Sequence, residues 1–207
     1  NGTHVMFSHF GTMHSFSSSM MGIFNVYNLM AAVAAVHITT NKPLDEICEA
    51  LEGFAGVSGR METISSNPLI IVDFAHTPDG MKEVLQSFNE KDIICVFGAG
   101  GDRDKAKRPL MGSVAASYSK HIIVTSDNPR FEDPDMIIED ILKGIKSHKS
   151  VEVEINRKEA IKKAIAMADE NSVVLILGKG DESTQTIYDK KFPFSDKEEV
   201  LKVLNKE

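Results

Sequence analysis

The rhythm of apolar and polar positions changes along this chain, and each change predicts a different kind of element. Residues 1–20 alternate in short stretches rich in Ser, His and Phe, with Gly11 as a turn, which predicts the end of a β-rich region. From Asn25 to about His37 the spacing becomes helical: Leu29, Ala32, Val33 and Val36 fall at i, i+3, i+4 and i+7. After the start signal Asn41-Lys42-Pro43, the positions Leu44, Ile47, Cys48 and Leu51 repeat that spacing. "GFAGVSGR" (53–60) is glycine-rich and reads as a hinge between two domains, 1–60 and 61–207.

Beyond residue 60 apolar runs alternate with amphipathic stretches. The runs are "LIIVDF" (69–74), "DIICVFG" (92–98), "HIIVTS" (121–126), "VEVEI" (151–155) and "SVVLILG" (172–178). Helical stripes lie between them: Met81, Val84, Leu85 and Phe88; Ile137, Ile138, Ile141, Leu142 and Ile145; Ala160, Ile161, Ala164, Ile165 and Ala168. Strands this apolar are buried on both faces, so the alternation predicts crossover helices on a mostly parallel sheet, an α/β fold of Rossmann-like type with helices on both faces. "TIYDKKFPFSD" predicts a small edge hairpin before a last helix at about 196–205. There is no internal repeat and no low-complexity segment.

Composition narrows the function classes. The 207 residues are 42% hydrophobic and 26% charged, the profile of a globular protein. A net charge of -7 argues against a nucleic-acid surface, which needs a basic face. No apolar run approaches the ~20 residues of a membrane helix, and "NGTHVMF" lacks the basic start and apolar core of a secretory signal. Of the two cysteines, Cys48 falls in a helical pattern and Cys95 in a strand run; both read as buried thiols in a reducing cytosol. The chain begins at Asn, which suggests a fragment or a processed piece.

In parallel sheets, ligands bind outside the carboxyl ends of the strands. Four polar loops stand there: "DFAHTPD", "GAGGDRDKAKR", "SDNPR" and "GKGDES". In the second, three glycines let backbone N–H groups approach an anion, or form a tight turn before a basic helix start. Arg103 stands where the dinucleotide fingerprint needs Gly, so a nicotinamide-type domain is disfavoured. The fourth fails as a triphosphate loop, which would need Gly at Val173 and Ser or Thr at Gly180. In the first, Asp73 could accept from ribose hydroxyls, and His76 contacts a nucleotide or caps the helix starting near Thr77 or Asp79. No second His at ligand spacing supports a metal or a Ser-His-Asp site, and the metal set is none. Asn25 and Asn28 sit at a helix start, where Asn caps well or could read a purine edge. Arg60 on the hinge pairs with a carboxylate or reaches a phosphate. "TSDNPRFEDP" (125–134) sets an Asn and an Arg between prolines and carboxylates where a buried strand ends, more chemistry than a connector needs.

Taken in order, "GIFNVYNLMAA", "GVSGRME", "VDFAHTPDG", "VFGAGGDRDKAKRPLMG", "TSDNPRFEDP", "DILKGI", "LGKGDE" and "FSDKEEV" resemble the latter half of the Mur ligases, specifically those adding the third residue of the peptidoglycan stem peptide. The resemblance runs from about residue 20 to 205. It implies that residues 1–60 are the end of a central ATP-binding α/β domain and that 61–207 are the carboxyl-terminal, amino-acid-binding domain. It implies an ATP-dependent amide-forming ligase of cell-wall synthesis: ATP phosphorylates the D-glutamate carboxylate of a UDP-MurNAc-dipeptide, and the amine of a diamino acid attacks the acyl phosphate. Partners are then small molecules, with neither nucleic acid nor membrane insertion, and the protein is a cytoplasmic monomer. ATP and Mg2+ are bound mainly by upstream parts, including the phosphate loop, so this polypeptide alone is expected to be inactive.

The same resemblance implies residue roles. Asn25 and Asn28 match a pair near the adenine, Arg60 the hinge Arg near the phosphates, and Asp73 the ribose-binding Asp, with His76 in the same loop. Arg103 matches an Arg holding the amino acid's carboxylate. Asp127, Asn128, Pro129 and Arg130 match the amino-acid recognition motif, and Gly178 and Glu182 the contacts to its far end. No catalytic residue is assigned. With Arg130 facing a distal carboxylate and Glu182 an ammonium, the implied substrate is meso-diaminopimelate; lysine lacks that carboxylate and would leave Arg130 unpaired, worth ~1–3 kcal/mol. Two positions depart from the family: Asp181 stands for a usual His, a change that could favour another diamino acid, lysine or lanthionine, and Phe74 stands for Tyr. The competing readings are a different amide ligase of the same fold and a non-catalytic small-molecule binding module.

Overall fold

The computed structural model describes residues 2–146 and 150–205. The chain divides into two compact units, Asn1–Val57 and Ser58–Glu207, so Arg60 belongs to the second.

In the first unit β1 (Thr3–His9) and β2 (Thr12–Ser18) form an antiparallel hairpin with Thr3 opposite Ser18 and His9 opposite Thr12. Its two-residue turn puts both Phe10 and Gly11 at positive φ, 48° and 84°, the twist that matches paired strands. Two helices follow, α1 (Ile23–Thr40) and α2 (Leu44–Glu52). Their core gathers Val5, Phe16, Met20, Leu29, Val33, Leu44, Ile47 and Cys48. The expected stripe on α1 is narrower than its sequence suggested: Ala32 and Val36 are exposed, and Asn25, Leu29 and Val33 face inward at i, i+4, i+8. A hairpin and one short helix offer only one apolar side to bury against. The expectation that no apolar run nears membrane length is also corrected. Helix α1 has 18 residues at a mean hydropathy of 1.4, long and apolar enough to cross a membrane, because its scattered Asn, His and Thr interrupt the run without lowering the average far.

The second unit is built on a six-stranded sheet in the order β3-β4-β8-β5-β6-β7. The five apolar runs form β4 (Leu69–Asp73), β5 (Asp92–Phe97), β6 (His121–Val124), β7 (Val151–Val153) and β8 (Ser172–Leu177), all mutually parallel. β3 (Glu62–Ser66), which the sequence reading missed, pairs antiparallel to β4 at the edge. Its "ETISS" carries too little apolar pattern to announce a strand. β8 lies between β4 and β5, and all six of its residues are buried; each fully buried Val, Leu or Ile stabilises by about 1.5–3 kcal/mol.

Ile70, Val72, Ile94, Val96, Val174 and Ile176 face one side, packed with Ala160, Ile161, Ala164 and Val200 of α6 (Arg157–Ala166) and α7 (Asp196–Leu204). Alternate residues Ile71, Ile93, Cys95, Val173 and Leu175 point oppositely and are equally buried. The remaining helices are α3 (Pro78–Gln86), α4 (Lys107–Tyr118) and α5 (Pro134–Leu142), packed α3 on α4 and α4 on α5. Their starts are signalled locally. Thr77 caps α3 and Asp133 caps α5, each ahead of a proline; Asn156 caps α6 and Ser195 caps α7. The predicted hairpin forms as β9 (Thr184–Ile187) and β10 (Lys190–Pro193), a separate two-stranded sheet rather than an edge of the large one.

Candidate functional site

Because β4, β8, β5 and β6 are successive neighbours, their carboxyl ends bring four loops side by side. Backbone bonds seal the rim: Gly178 N–H donates to Asp73 O at 3.0 Å and Thr125 N–H to Phe97 O at 2.9 Å. The glycine loop is spent on approach. A Cβ on Gly101 would lie 1.9 Å from Pro129 O, and Gly101 N–H donates to Asn128 O at 2.9 Å. That N–H is therefore not offered to an anion, and α4 starts only at Lys107.

These loops enclose a cavity of about 200 Å³ lined by Phe74, His76, Gly98, Ala99, Gly100, Arg103, Lys107, Asp127, Asn128, Arg130, Gly178 and Glu182. Six of the seven residues expected to hold a diamino acid line it; Pro129 instead lines a larger neighbouring cavity, about 950 Å³, which shares Arg130. Arg130 sits at φ 51°, a left-handed conformation costly for a residue with a Cβ. It is held there by the hairpin: Arg130 N–H donates to Thr186 O at 3.1 Å and Tyr188 N–H to Arg130 O at 2.7 Å. Its Nη1 donates to Gly101 O at 2.7 Å, and among the described residues no carboxylate pairs with it or with Arg103. Asp127 is buried and its Oδ1 accepts from Asn128 N–H at 2.6 Å.

The Asn128 amide is oriented by its neighbours. Oδ1 accepts from Thr186 N–H at 2.8 Å and from Lys179 Nζ at 3.3 Å, while Nδ2 donates to Glu182 Oε2 at 2.8 Å. The Asn128 acceptor is thus already engaged within the protein, and one Nδ2 hydrogen remains for a ligand. Burial pushes the Glu182 carboxyl up, but the Lys179 ammonium, the Asn128 amide and the Arg130 charge outweigh it and hold the group below its ordinary range. Lys107 Nζ donates to His76 O at 3.0 Å. Burial lowers that ammonium, with Arg103 and Arg108 adding to the effect against Asp104 and Asp127.

The residues expected around a nucleotide are not gathered into this cavity, His76 excepted. His76 is exposed, its Nδ1–H donates to Phe74 O at 3.0 Å, and it rests edge-on to Phe74 at 4.6 Å; Thr77, not His76, caps α3. The Arg60 guanidinium lies 4.2 Å above the Phe74 ring, a cation–π contact. Asp73 is buried and both oxygens accept backbone N–H groups, Oδ2 from Met61 and Oδ1 from Ala75, each at 2.7 Å. Burial raises its carboxyl against the pull of those donors and Arg60. In the first unit, Asn25 is buried with Nδ2 on Met21 O at 2.8 Å, and Asn28 Nδ2 donates to Asn25 Oδ1 at 3.3 Å. Gly22, not an Asn, stands at the cap of α1. Among the described residues no group of three or more His, Cys, Asp or Glu gathers to hold a metal ion.

Sequence reasoning missed the cations that hold the rim from beneath. Lys179 is fully buried. Arg108, also fully buried, grips Glu132 with two nitrogens at 2.8 and 3.0 Å, reaches Asp140 at 3.0 Å and donates to Gly100 O at 3.3 Å. Arg157 binds Asp196 twice at 2.7 Å and donates to Leu177 O at 3.0 Å, one residue before Gly178. A pattern that treats charge as exposed has no signal for these; the one available hint was a Lys between two glycines.

The family model described as "Mur ligase, glutamate ligase domain" matches residues 59–180. Among curated relatives, the UDP-N-acetylmuramoyl-L-alanyl-D-glutamate--2,6-diaminopimelate ligases of Wolinella succinogenes and Helicobacter pylori are 52% and 51% identical, over 92% and 88% of this chain. They cover 44% and 41% of the relatives, so the chain spans about two fifths of their length. A solved ligase of the same description is 37% identical with a TM-score of 0.71, over 94% of this chain and 41% of that one. A pseudomurein peptide ligase type C from Methanothermus fervidus is 26% identical with a TM-score of 0.69, over 87% and 38%. A Mycobacterium tuberculosis folylpolyglutamate synthase, 20% identical with a TM-score of 0.63 over 79% and 40%, shares the fold.

Proposed function

The chain belongs to the Mur ligase family through its glutamate ligase domain, and on that premise we propose that it works as the carboxyl-terminal, amino-acid-binding part of an ATP-dependent ligase joining meso-diaminopimelate to UDP-N-acetylmuramoyl-L-alanyl-D-glutamate. The observation that carries this reading is one cavity lined both by two arginines without carboxylate partners among the described residues, Arg103 and Arg130, and by the carboxylate Glu182. Such a set matches a molecule with a carboxylate at each end and an ammonium beside the far one. Arg130 takes the distal carboxylate as a planar fork, Glu182 the distal ammonium, and Arg103 the carboxylate next to the reacting amine. Held at both ends, that amine is aligned on the acyl phosphate that ATP forms on the D-glutamate carboxylate; the amide then forms with release of ADP and phosphate. Alignment supplies much of the barrier lowering in such a step.

The first unit is then the end of a central ATP-binding domain. Of the nucleotide-facing set, Asn28, Arg60 and His76 are exposed and able to reach ATP, whereas Asn25 and Asp73 serve by holding backbone in place. Among the described residues no group of His, Cys, Asp and Glu assembles a donor set for Mg2+. We place the ligase in the cytoplasm as a monomer, where UDP-linked precursors and ATP are supplied. Asp181 is exposed and does not line the cavity, so its carboxylate gives no ground for preferring lysine to diaminopimelate.

Calorimetric titration of the complete ligase with its nucleotide substrates tests this. meso-Diaminopimelate is expected to bind at least ~10-fold more tightly than lysine, the cost of one desolvated, unpaired guanidinium. Equal affinity for the two, or tighter binding of lysine, contradicts it.

A further inference from the structure

Lys179 is a fully buried lysine placed behind the cavity, and the recognition scheme above gives it no part. Its ammonium has three protons and meets three acceptors: Thr184 O at 2.7 Å, Glu182 Oε2 at 2.8 Å and Asn128 Oδ1 at 3.3 Å. It has no proton left for a substrate.

Each acceptor belongs to a different part of the rim. Asn128 comes from the loop after β6, Glu182 from the turn after β8, and Thr184 from the first position of β9. The consequences fall on two side chains. Asn128 Oδ1 accepts from both Lys179 and Thr186 N–H, so a flipped amide would set its NH2 against two donors; the amide is locked with Nδ2 toward Glu182. Glu182 Oε2 in turn accepts from both Lys179 and Asn128. None of the described residues donates to Oε1. The carboxylate is thus anchored by one oxygen and open at the other.

We propose that Lys179 is a positioning residue for diamino-acid recognition: it locks Asn128 and Glu182 so that Glu182 Oε1 alone is presented to the distal ammonium. This rests on the functional reading above for the identity of the ligand, though not for the clamp. The clamp also links specificity to the hairpin, since β9 supplies both Thr184 O and Thr186 N–H and also fixes the backbone of Arg130. One hairpin therefore aligns the groups for both charges of the substrate's far end.

Lys179→Met in the complete ligase tests it. The KM for meso-diaminopimelate should rise about 10- to 100-fold, the cost of freeing Asn128 and Glu182 from their shared donor, while the KM for ATP stays within about twofold, since additive, distant sites do not couple. The Thr186 amide should exchange with solvent faster, because Asn128 no longer has two donors holding it. In a Glu182→Gln background, Lys179→Met should add less than about threefold, because both changes act through one contact. A folded Lys179→Met enzyme with an unchanged KM for the diamino acid, with both KM values and kcat altered alike, or with a cost fully additive to Glu182→Gln, overturns the proposal. Should Lys179→Met not fold, Glu182→Gln alone decides: its side chain is 38% exposed, and it should speed Thr186 exchange; unchanged exchange overturns the clamp. An unsubstituted ligase that turns over no diamino acid defeats the functional reading, while Thr186 exchange still decides the clamp.

Discussion

Glu132 shows how much one carboxylate in the loop after β6 is asked to hold. It accepts from Arg108 through both oxygens, from Asp102 N–H at 2.6 Å, and pairs with Lys105 at 2.9 Å. Arg108 first, and Lys105 after it, bring its pKa from 4.5 down to about 2. A folded-state value below the unfolded one contributes stability that is present above pH 4.5 and is lost as pH falls from there toward 2. With solvent screening allowed for, that is on the order of 2 kcal/mol. Glu132→Gln should therefore be less stable than the parent at pH 7 in urea unfolding, and the gap should narrow between pH 4.5 and 2; a gap constant with pH contradicts the pairing. Legibility at this scale divides by depth. The loops that carry Arg130 and Glu182 were readable because polar residues at strand ends stand out against apolar runs, whereas the role of Glu182 itself came only with the resemblance to the Mur ligases. The burial of Lys179, Arg108 and Arg157 was not readable, because nothing in one-dimensional spacing says that a cation will be buried; the partners of Arg108 and Arg157 lie 24 to 39 residues away.

Among elements, the approach of the glycine loop to the loop after β6 sets the cavity's shape. Gly101→Ala would put a methyl 1.9 Å from Pro129 O, a backbone atom that cannot swing aside. The loops must part, at a cost of about 1–3 kcal/mol, and Arg130 loses Gly101 O as its anchor. Chemical denaturation should show that loss of stability together with weaker diamino-acid binding; stability and binding equal to the parent contradict the packing role. The strands β4, β5, β6 and β8 announced themselves because parallel strands buried on both faces are almost purely apolar. β3 did not, because an edge strand paired on one side tolerates Glu, Thr and Ser. The stripe on α1 was read too wide because alanine and valine at helical spacing look alike whether or not a second surface covers them.

For the whole molecule, the mostly parallel sheet and its loop-bearing rim follow from the alternation of runs and stripes. The strand order does not. Inserting β8 between β4 and β5 requires the chain to leave for β6 and β7 and return, and apolar content alone permits several such paths. That return is what brings Gly178, Lys179 and Glu182 between the glycine loop and the Asp73 loop, so the site is a product of topology as much as of motif.

Selection of the amino acid by its far carboxylate, as proposed for the guanidinium at position 130, can be read from kcat/KM of the complete ligase for meso-diaminopimelate and for lysine, before and after Arg130→Ala. The preference for diaminopimelate should collapse by about 10- to 100-fold through loss of diaminopimelate turnover, with lysine turnover equal or higher. A preference that survives the substitution intact would contradict it.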